Sequence, residues 1–292
     1  MTALARALGL ALVPLGLFCL FSTAPAQAQE RGSAVPRASP NATVSQTIGV
    51  TNVTFTYGRP SVQGRDIFGG LVPFGDVWRT GANEATTISV STPVRIEGKS
   101  LDAGTYSFFT IPGPDQWTLI FNETAEQWGA YNYDSSKDAL RVQVEPEPAP
   151  KREMMTFYVH NVTDSTATAF LHWNETRVPF EIAVNTTEIL RSRAEEAVAE
   201  ATQWQAPLRY VGYALENEVL LDEALSWINR SVELKETFQN LRMKAHVLAA
   251  TDQQKQAVET ANAALAKAEG MEESPDGTEE LRKQIETWKS EM

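Results

Sequence analysis

The residues best equipped for chemistry lie together in one segment, Tyr57 to Thr86, which reads YGRPSVQGRDIFGGLVPFGDVWRTGANEAT. It holds three arginines, Arg59, Arg65 and Arg79, with Trp78 beside the last and Asn83 and Glu84 within five residues of it. A guanidinium is a planar fork of donors that matches a carboxylate or phosphate, or pairs with an acid such as Glu84. Tryptophan beside arginine, asparagine and glutamate is also the residue set of a sugar site, a flat apolar face with polar groups at its rim. Long connections of this kind inside a compact domain are often functional.

Three readings of the segment compete. In the first it forms a polar pocket for a small anionic or carbohydrate-like ligand: Arg59, Arg65 and Arg79 donate, Trp78 stacks, and Asn83 and Glu84 accept. In the second it is a packing plug. Arg59 and Arg79 then pair with Asp66, Asp76 or Glu84, and Ile67, Phe68, Leu71, Val72 and Phe74 close one end of the domain. In the third the chain is a hydrolase on envelope glycans or peptides, with Glu84 as acid or base and Asp66 or Glu123 as partner. Carboxylate pairs are common in an acidic chain, so the third reading has the least specific signal, and a non-enzymatic role is favoured.

Other reactive types are sparse. There are 3 histidines. His160 and His172 fall in strand-like stretches and, with Glu84 or Glu175, are weak candidates for a metal site, but their spacing matches no familiar ligand set. No metal and no cofactor are therefore expected. His246 falls in a helical stretch and reads as structural. No G-x-G-x-x-G, P-loop, G-x-S-x-G or H-E-x-x-H pattern occurs, so nucleotide cradles and nucleophile elbows find no support. Trp117 and Trp173 alternate with polar residues and read as core. Trp128, Tyr131 and Tyr133 lie in a turn-rich stretch and could line a surface cleft, although packing is the simpler role for them.

The elements that must carry these residues are read from periodicity. From about Thr43 to Val184 the period is two. Val53, Phe55 and Tyr57 alternate with threonines, and so do Ile88 and Val90 with Thr87 and Ser89. Tyr106 and Phe108; Trp117, Leu119 and Phe121; Leu140, Val142 and Val144; Phe157 and Val159; Leu171 and Trp173; and Val178 to Val184 repeat the pattern. Short strands at this spacing, broken by Gly, Pro, Asn and Asp, predict an all-β antiparallel sandwich or barrel-like domain over 43–185.

After Asn185 the period becomes helical. Leu190, Ala194, Ala197, Ala201 and Trp204 share one helix face. LDEALSWINRSVEL (Leu221 to Leu234) aligns with QKQAVETANAALAK (Gln254 to Lys267) at an offset of 33 residues, bringing Ala224 onto Ala257. That period, with small residues where helices cross, predicts an all-α tetratricopeptide-like domain over 186–292. Two repeats are too few to stand alone, so they should dock on the sandwich or on flanking helices such as Leu281 to Trp288. Such repeats suit contact with a protein partner.

The N-terminus reads as an address. Leu8 to Phe21 is apolar but broken by Pro14, and Ala24-Pro-Ala26 and Ala26-Gln-Ala28 offer small-x-small cleavage sites. A signal peptide over 1–28 and a flexible linker over 29–42 are expected, giving an exported protein, periplasmic or secreted, with no membrane span after cleavage. The single cysteine, Cys19, lies in that leader, behind Phe18 rather than a small residue. No lipid anchor, disulfide framework or thiol nucleophile is then expected. The chain has 292 residues and a net charge of −12, which argues against nucleic acid. Residues 186–292 hold 20 acids and 12 bases, so the helical part carries most of the excess; a solvated outer face accounts for it.

The runs YGRPSVQGRDIFGGLVPFGDVWRTGANEATTISV and LDAGTYSFFTIPGPDQWTLIFN resemble the hallmark of an exported bacterial family known as a domain of unknown function. The resemblance covers roughly Val44 to Val184 and is most specific at Trp78 to Thr86. The C-terminal helices are similar to the repeat-like tail that many members carry. Gln63 stands where the resemblance leads one to expect a lysine, which weakens the case for a three-cation cluster. The resemblance implies an exported β-rich fold and adds weight to Arg59–Thr86. It brings no activity with it.

Overall fold

The structure, a computed structural model, describes residues 35–292. The expected signal peptide and the first part of the expected linker lie outside these residues. No helix among the described residues is long and apolar enough to cross a membrane.

The N-terminal half is an antiparallel sandwich followed, as its sequence predicts, by an all-helical region. Its larger sheet contains β1 (Asn41–Ile48), β2 (Thr51–Gly58), β3 (Thr86–Val90), β6 (Gly104–Ile111), β7 (Trp117–Asn122) and β8 (Asp138–Val144), in the order β1-β2-β3-β6-β7-β8. The smaller contains β4 (Val94–Ile96), β5 (Lys99–Leu101), β9 (Glu147–His160) and β10 (Thr166–Val184), in the order β5-β4-β10-β9. Alternation decides which face is buried. Val53, Phe55 and Tyr57 point inward from β2, and Phe157, Leu171, Phe180 and Ile182 meet them from the second sheet. Phe55 stacks on Phe157 at 4.9 Å and meets Phe108 and Phe180 edge-on. Burying such rings, at about 25 cal/mol per Å², is the main term holding the sheets together.

Two details differ from the periodicity. β1 begins at Asn41, inside the stretch expected as linker. Leu171–Trp173 and Val178–Val184, two segments by pattern, are one continuous strand. Asn174, at φ +54°, sits within a register shift between β9 and β10 and absorbs the break as a bulge. Asparagine tolerates that backbone region better than most residues.

Asn185 alone separates β10 from α1 (Thr186–Ala199), and its side chain caps that helix by accepting from the Glu188 N–H. α2 (Leu208–Asn217), α3 (Leu221–Leu234), α4 (Phe238–Ala250), α5 (Gln254–Glu269) and α6 (Thr278–Ser290) follow. The two aligned stretches become α3 and α5, and Ala224 and Ala257 are both fully buried, as residues at close helix crossings must be. The final helix docks Leu281, Ile285 and Trp288, at helical spacing, onto the core of α4 and α5.

Candidate functional site

β2 ends at Gly58, and the chain returns to β3 through Ala82, whose N–H donates to the Gly58 carbonyl at 3.2 Å. A side chain at 58 would place its Cβ 2.2 Å from the Ala82 oxygen, so only glycine permits this approach. The segment between folds on itself, with Val72 donating to the Ile67 carbonyl at 2.8 Å. Ile67 and Val72 join the core, and Phe68 packs edge-on against Trp117 at 4.8 Å. Leu71 and Phe74 stay exposed. The segment therefore closes the domain with part of its apolar set and presents the rest to solvent.

Further along, Trp78 exchanges two backbone hydrogen bonds with Thr110, 2.7 and 2.9 Å, extending the pairing of β6. Thr80 is fully buried at φ +55°, a costly region for a β-branched residue. Its hydroxyl donates to Thr110 Oγ1 at 3.1 Å, and its carbonyl accepts from Thr86 Oγ1 at 2.7 Å. This buried threonine network fixes the backbone on both sides of Arg79.

The result is a cleft of about 480 Å³ at this end of the sandwich. Of the six residues singled out in sequence, Arg65, Trp78, Arg79 and Asn83 line it, together with Asp76, Ser39 and Trp173. Trp78 and Trp173 stack at 5.9 Å with an 18° tilt. Asn83, at φ +65°, donates to the Ser39 carbonyl at 3.3 Å, which holds the N-terminal arm against the cleft wall. Arg65 curls back on its own loop, donating to the Val62 carbonyl at 3.0 Å and to the Ser61 carbonyl.

Arg59 and Glu84 do other work. Arg59 donates to the Met155 carbonyl at 2.9 Å and to Thr156 Oγ1 at 2.8 Å, tying the end of β2 to β9 in the opposite sheet. Glu84 accepts from Arg37 Nη1 through both oxygens, at 2.9 and 2.8 Å. No ion pair joins Arg59, Arg65 or Arg79 to Asp66, Asp76 or Glu84 among the described residues. The salt bridge of this region instead reaches back 47 positions, into the arm before β1.

Two residues that line the cleft each carry a buried nitrogen without an acceptor. Arg79 Nε and Trp173 Nε1 are both out of contact with water and neither has a hydrogen-bond partner. Trp173 is only 1% exposed. A buried donor left unpaired costs about 1–3 kcal/mol, so two in one cleft are a substantial local expense. Sequence reasoning placed Trp173 in the core, where it is, but gave no sign that its indole N–H would lack a partner. Ser39 and Arg37 were hidden in a stretch read as linker.

The remaining candidates lie apart from the cleft. His172 is buried on β10, its Nε2 is 3.0 Å from the Pro150 carbonyl, and burial holds its pKa below the ordinary histidine value. His160 is exposed on β9 and packs against Tyr158. No group of three or more His, Cys, Asp or Glu is placed to hold a metal among the described residues. Residues 127–129 pair with 83–85 through Ala85 N–H to Gln127 O and Gly129 N–H to Asn83 O. This leaves Trp128 58% and Tyr131 84% exposed on the outside. Tyr133 instead turns inward on Phe109 and donates to Asp138 Oδ2 at 2.6 Å. Burial, then that carboxylate, push its pKa up to about 12.

Residues 39–182 match the family described as a protein of unknown function (DUF2911). The match takes in the whole cleft and the sandwich as far as Ile182, two residues short of the end of β10, and leaves out the helices. No curated protein matches the chain.

Proposed function

We propose that this protein is an exported binding or assembly module of the cell envelope. Its cleft takes a small anionic or carbohydrate-like ligand, and its helical repeats make contact with a protein partner. One observation carries the reading: a cleft lined by Arg79, Trp78 and Trp173, of which Arg79 and Trp173 each keep a buried N–H donor that meets no protein acceptor. Folded chains rarely leave such donors unpaired, and a ligand acceptor relieves the cost. The stacked indoles supply a flat apolar face, and Arg65, Asp76 and Asn83 supply polar groups around it. The threonine network that holds Thr80 in a strained backbone supports the same reading, because strain of this kind collects where a site must be held in shape.

A hydrolase centred on Glu84 gains nothing from the geometry, since that carboxylate is engaged by Arg37 and stands outside the cleft lining. The test is a ligand screen over envelope sugars, sugar acids and short peptides, with the Arg79→Ala variant beside the native chain. Saturable binding that disappears in the variant while its melting curve is retained is the expected result. A well-folded protein that binds no member of the panel refutes the proposal.

A further inference from the structure

We infer that the group this cleft recognises is the carboxylate of a small organic acid, an inference that rests on the cleft being a ligand site. The first argument is geometric. The Arg79 guanidinium makes no hydrogen bond to an acceptor among the described residues; its Nε is buried, and Trp173, whose Nε1 is equally unpartnered, lines the same cleft. The Nε–Nη edge of a guanidinium is the face that takes two oxygens in one plane, and a carboxylate presents them at matching spacing.

The second argument is charge. Two guanidiniums, Arg65 and Arg79, and one carboxylate, Asp76, line the cleft, leaving a single net positive charge. A monoanion neutralises it. A phosphate dianion overshoots it, within a chain that already carries −12. A neutral sugar leaves the partly buried guanidinium unpaired, and burying an unpaired charge is costly. A carbohydrate ligand is thus expected to be an acidic one, with Asp76 and Asn83 offering acceptors to its hydroxyls.

The third argument concerns access. Water reaches neither Arg79 Nε nor Trp173 Nε1. An acceptor satisfies them only if a neighbouring side chain shifts, and the stacked Trp78 and Trp173 are among the side chains lining the cleft. Binding therefore comes with a change in tryptophan emission.

The experiment titrates the full chain with acetate, lactate and glucuronate, and separately with glucose and inorganic phosphate at equal ionic strength. Heat and tryptophan emission are both recorded. At least one carboxylate is expected to saturate, while glucose and phosphate stay silent over the same range. Arg79→Lys keeps the charge but removes the planar fork, and should weaken binding roughly tenfold. Trp173→Phe keeps an aromatic ring but removes the N–H, and should weaken it by roughly fivefold. If the phenylalanine variant fails to fold, Arg79→Lys, at a partly exposed position, still decides. Glucose binding without any carboxylate, or phosphate binding tighter than every carboxylate, overturns the inference and leaves the cleft a ligand site. Carboxylate binding indifferent to Arg79→Lys overturns it by placing the anion elsewhere. Silence in all five arms overturns this inference, while the wider panel of sugars, sugar acids and peptides decides the function it rests on.

Discussion

Replacing Glu84 with glutamine tests how the N-terminal arm is fastened to the sandwich. Arg37 Nη1 meets both carboxylate oxygens, and the two side chains are 22% and 23% exposed. Fully exposed pairs are worth about 0.2–1 kcal/mol, and severing a buried pair costs about 3–5 kcal/mol. A pair this sheltered falls between, so Glu84→Gln should cost about 1–2 kcal/mol, glutamine keeping one acceptor and the size. For a unit of this length each kcal/mol moves the melting midpoint by about 2–4 °C, which gives a drop of roughly 2–8 °C. The decisive assay is a double-mutant cycle with Arg37→Ala, followed by denaturant unfolding. Coupling of about 1 kcal/mol or more is expected. Hydrogen exchange should also quicken at Arg59, whose N–H donates to the Pro40 carbonyl at 2.8 Å within the arm. Coupling below about 0.3 kcal/mol, with that exchange unchanged, refutes the argument, because the two variants would then be acting independently.

Three further outcomes follow from the geometry. Gly58→Ala forces a Cβ to within 2.2 Å of a backbone oxygen and should destabilise the chain by at least about 1–3 kcal/mol in denaturant unfolding; a neutral result would mean the strand end and the return chain do not touch. Ultraviolet titration should find Tyr133 ionising near 12 rather than 10, and lower in Asp138→Asn. Because the folded value is the higher one, the stability tied to this phenol is intact below pH 10 and is lost as pH climbs towards 12. His246, held below the usual histidine value first by burial and then by Arg242, with Glu280 opposing, works the other way. The unfolded chain protonates first, so its contribution is present above about 6.5 and is lost as pH falls below it; His246→Gln should flatten the acid limb of stability against pH.

The parts of this molecule that repeat were legible, and the parts that meet once were not. Alternation along Val53–Tyr57 and Trp117–Phe121 announced strands because a half-buried sheet imposes a period of two. The 33-residue offset announced α3 and α5 because stacked hairpins repeat their crossing residues. The cleft was legible in composition, and Arg65, Trp78, Arg79 and Asn83 do meet there. Arg59 carries the same chemistry as Arg79, yet it spends its donors 96 and 97 positions away, on β9. Nothing local separates the two arginines. Likewise Glu84 had nearer arginines than Arg37, and only the path of the arm decides between them. Trp173 showed its ring through periodicity but not the fate of its N–H, which depends on what packs over it.

β10 runs 19 residues, pairs with β9 along one stretch and with β4 at its far end, and passes into α1 through one residue. That continuity has a mechanical meaning. A pull on the helices is not taken up by a slack tether; it loads β10 lengthwise against antiparallel neighbours. Force in that direction is shared by the rungs of both ladders at once, whereas a sideways pull would part them one by one. The rungs to β9 lose step at the bulge around Asn174, whose preceding residue is Trp173. Tension arriving from the helical end thus runs along the strand that carries Trp173, one of the residues lining the cleft.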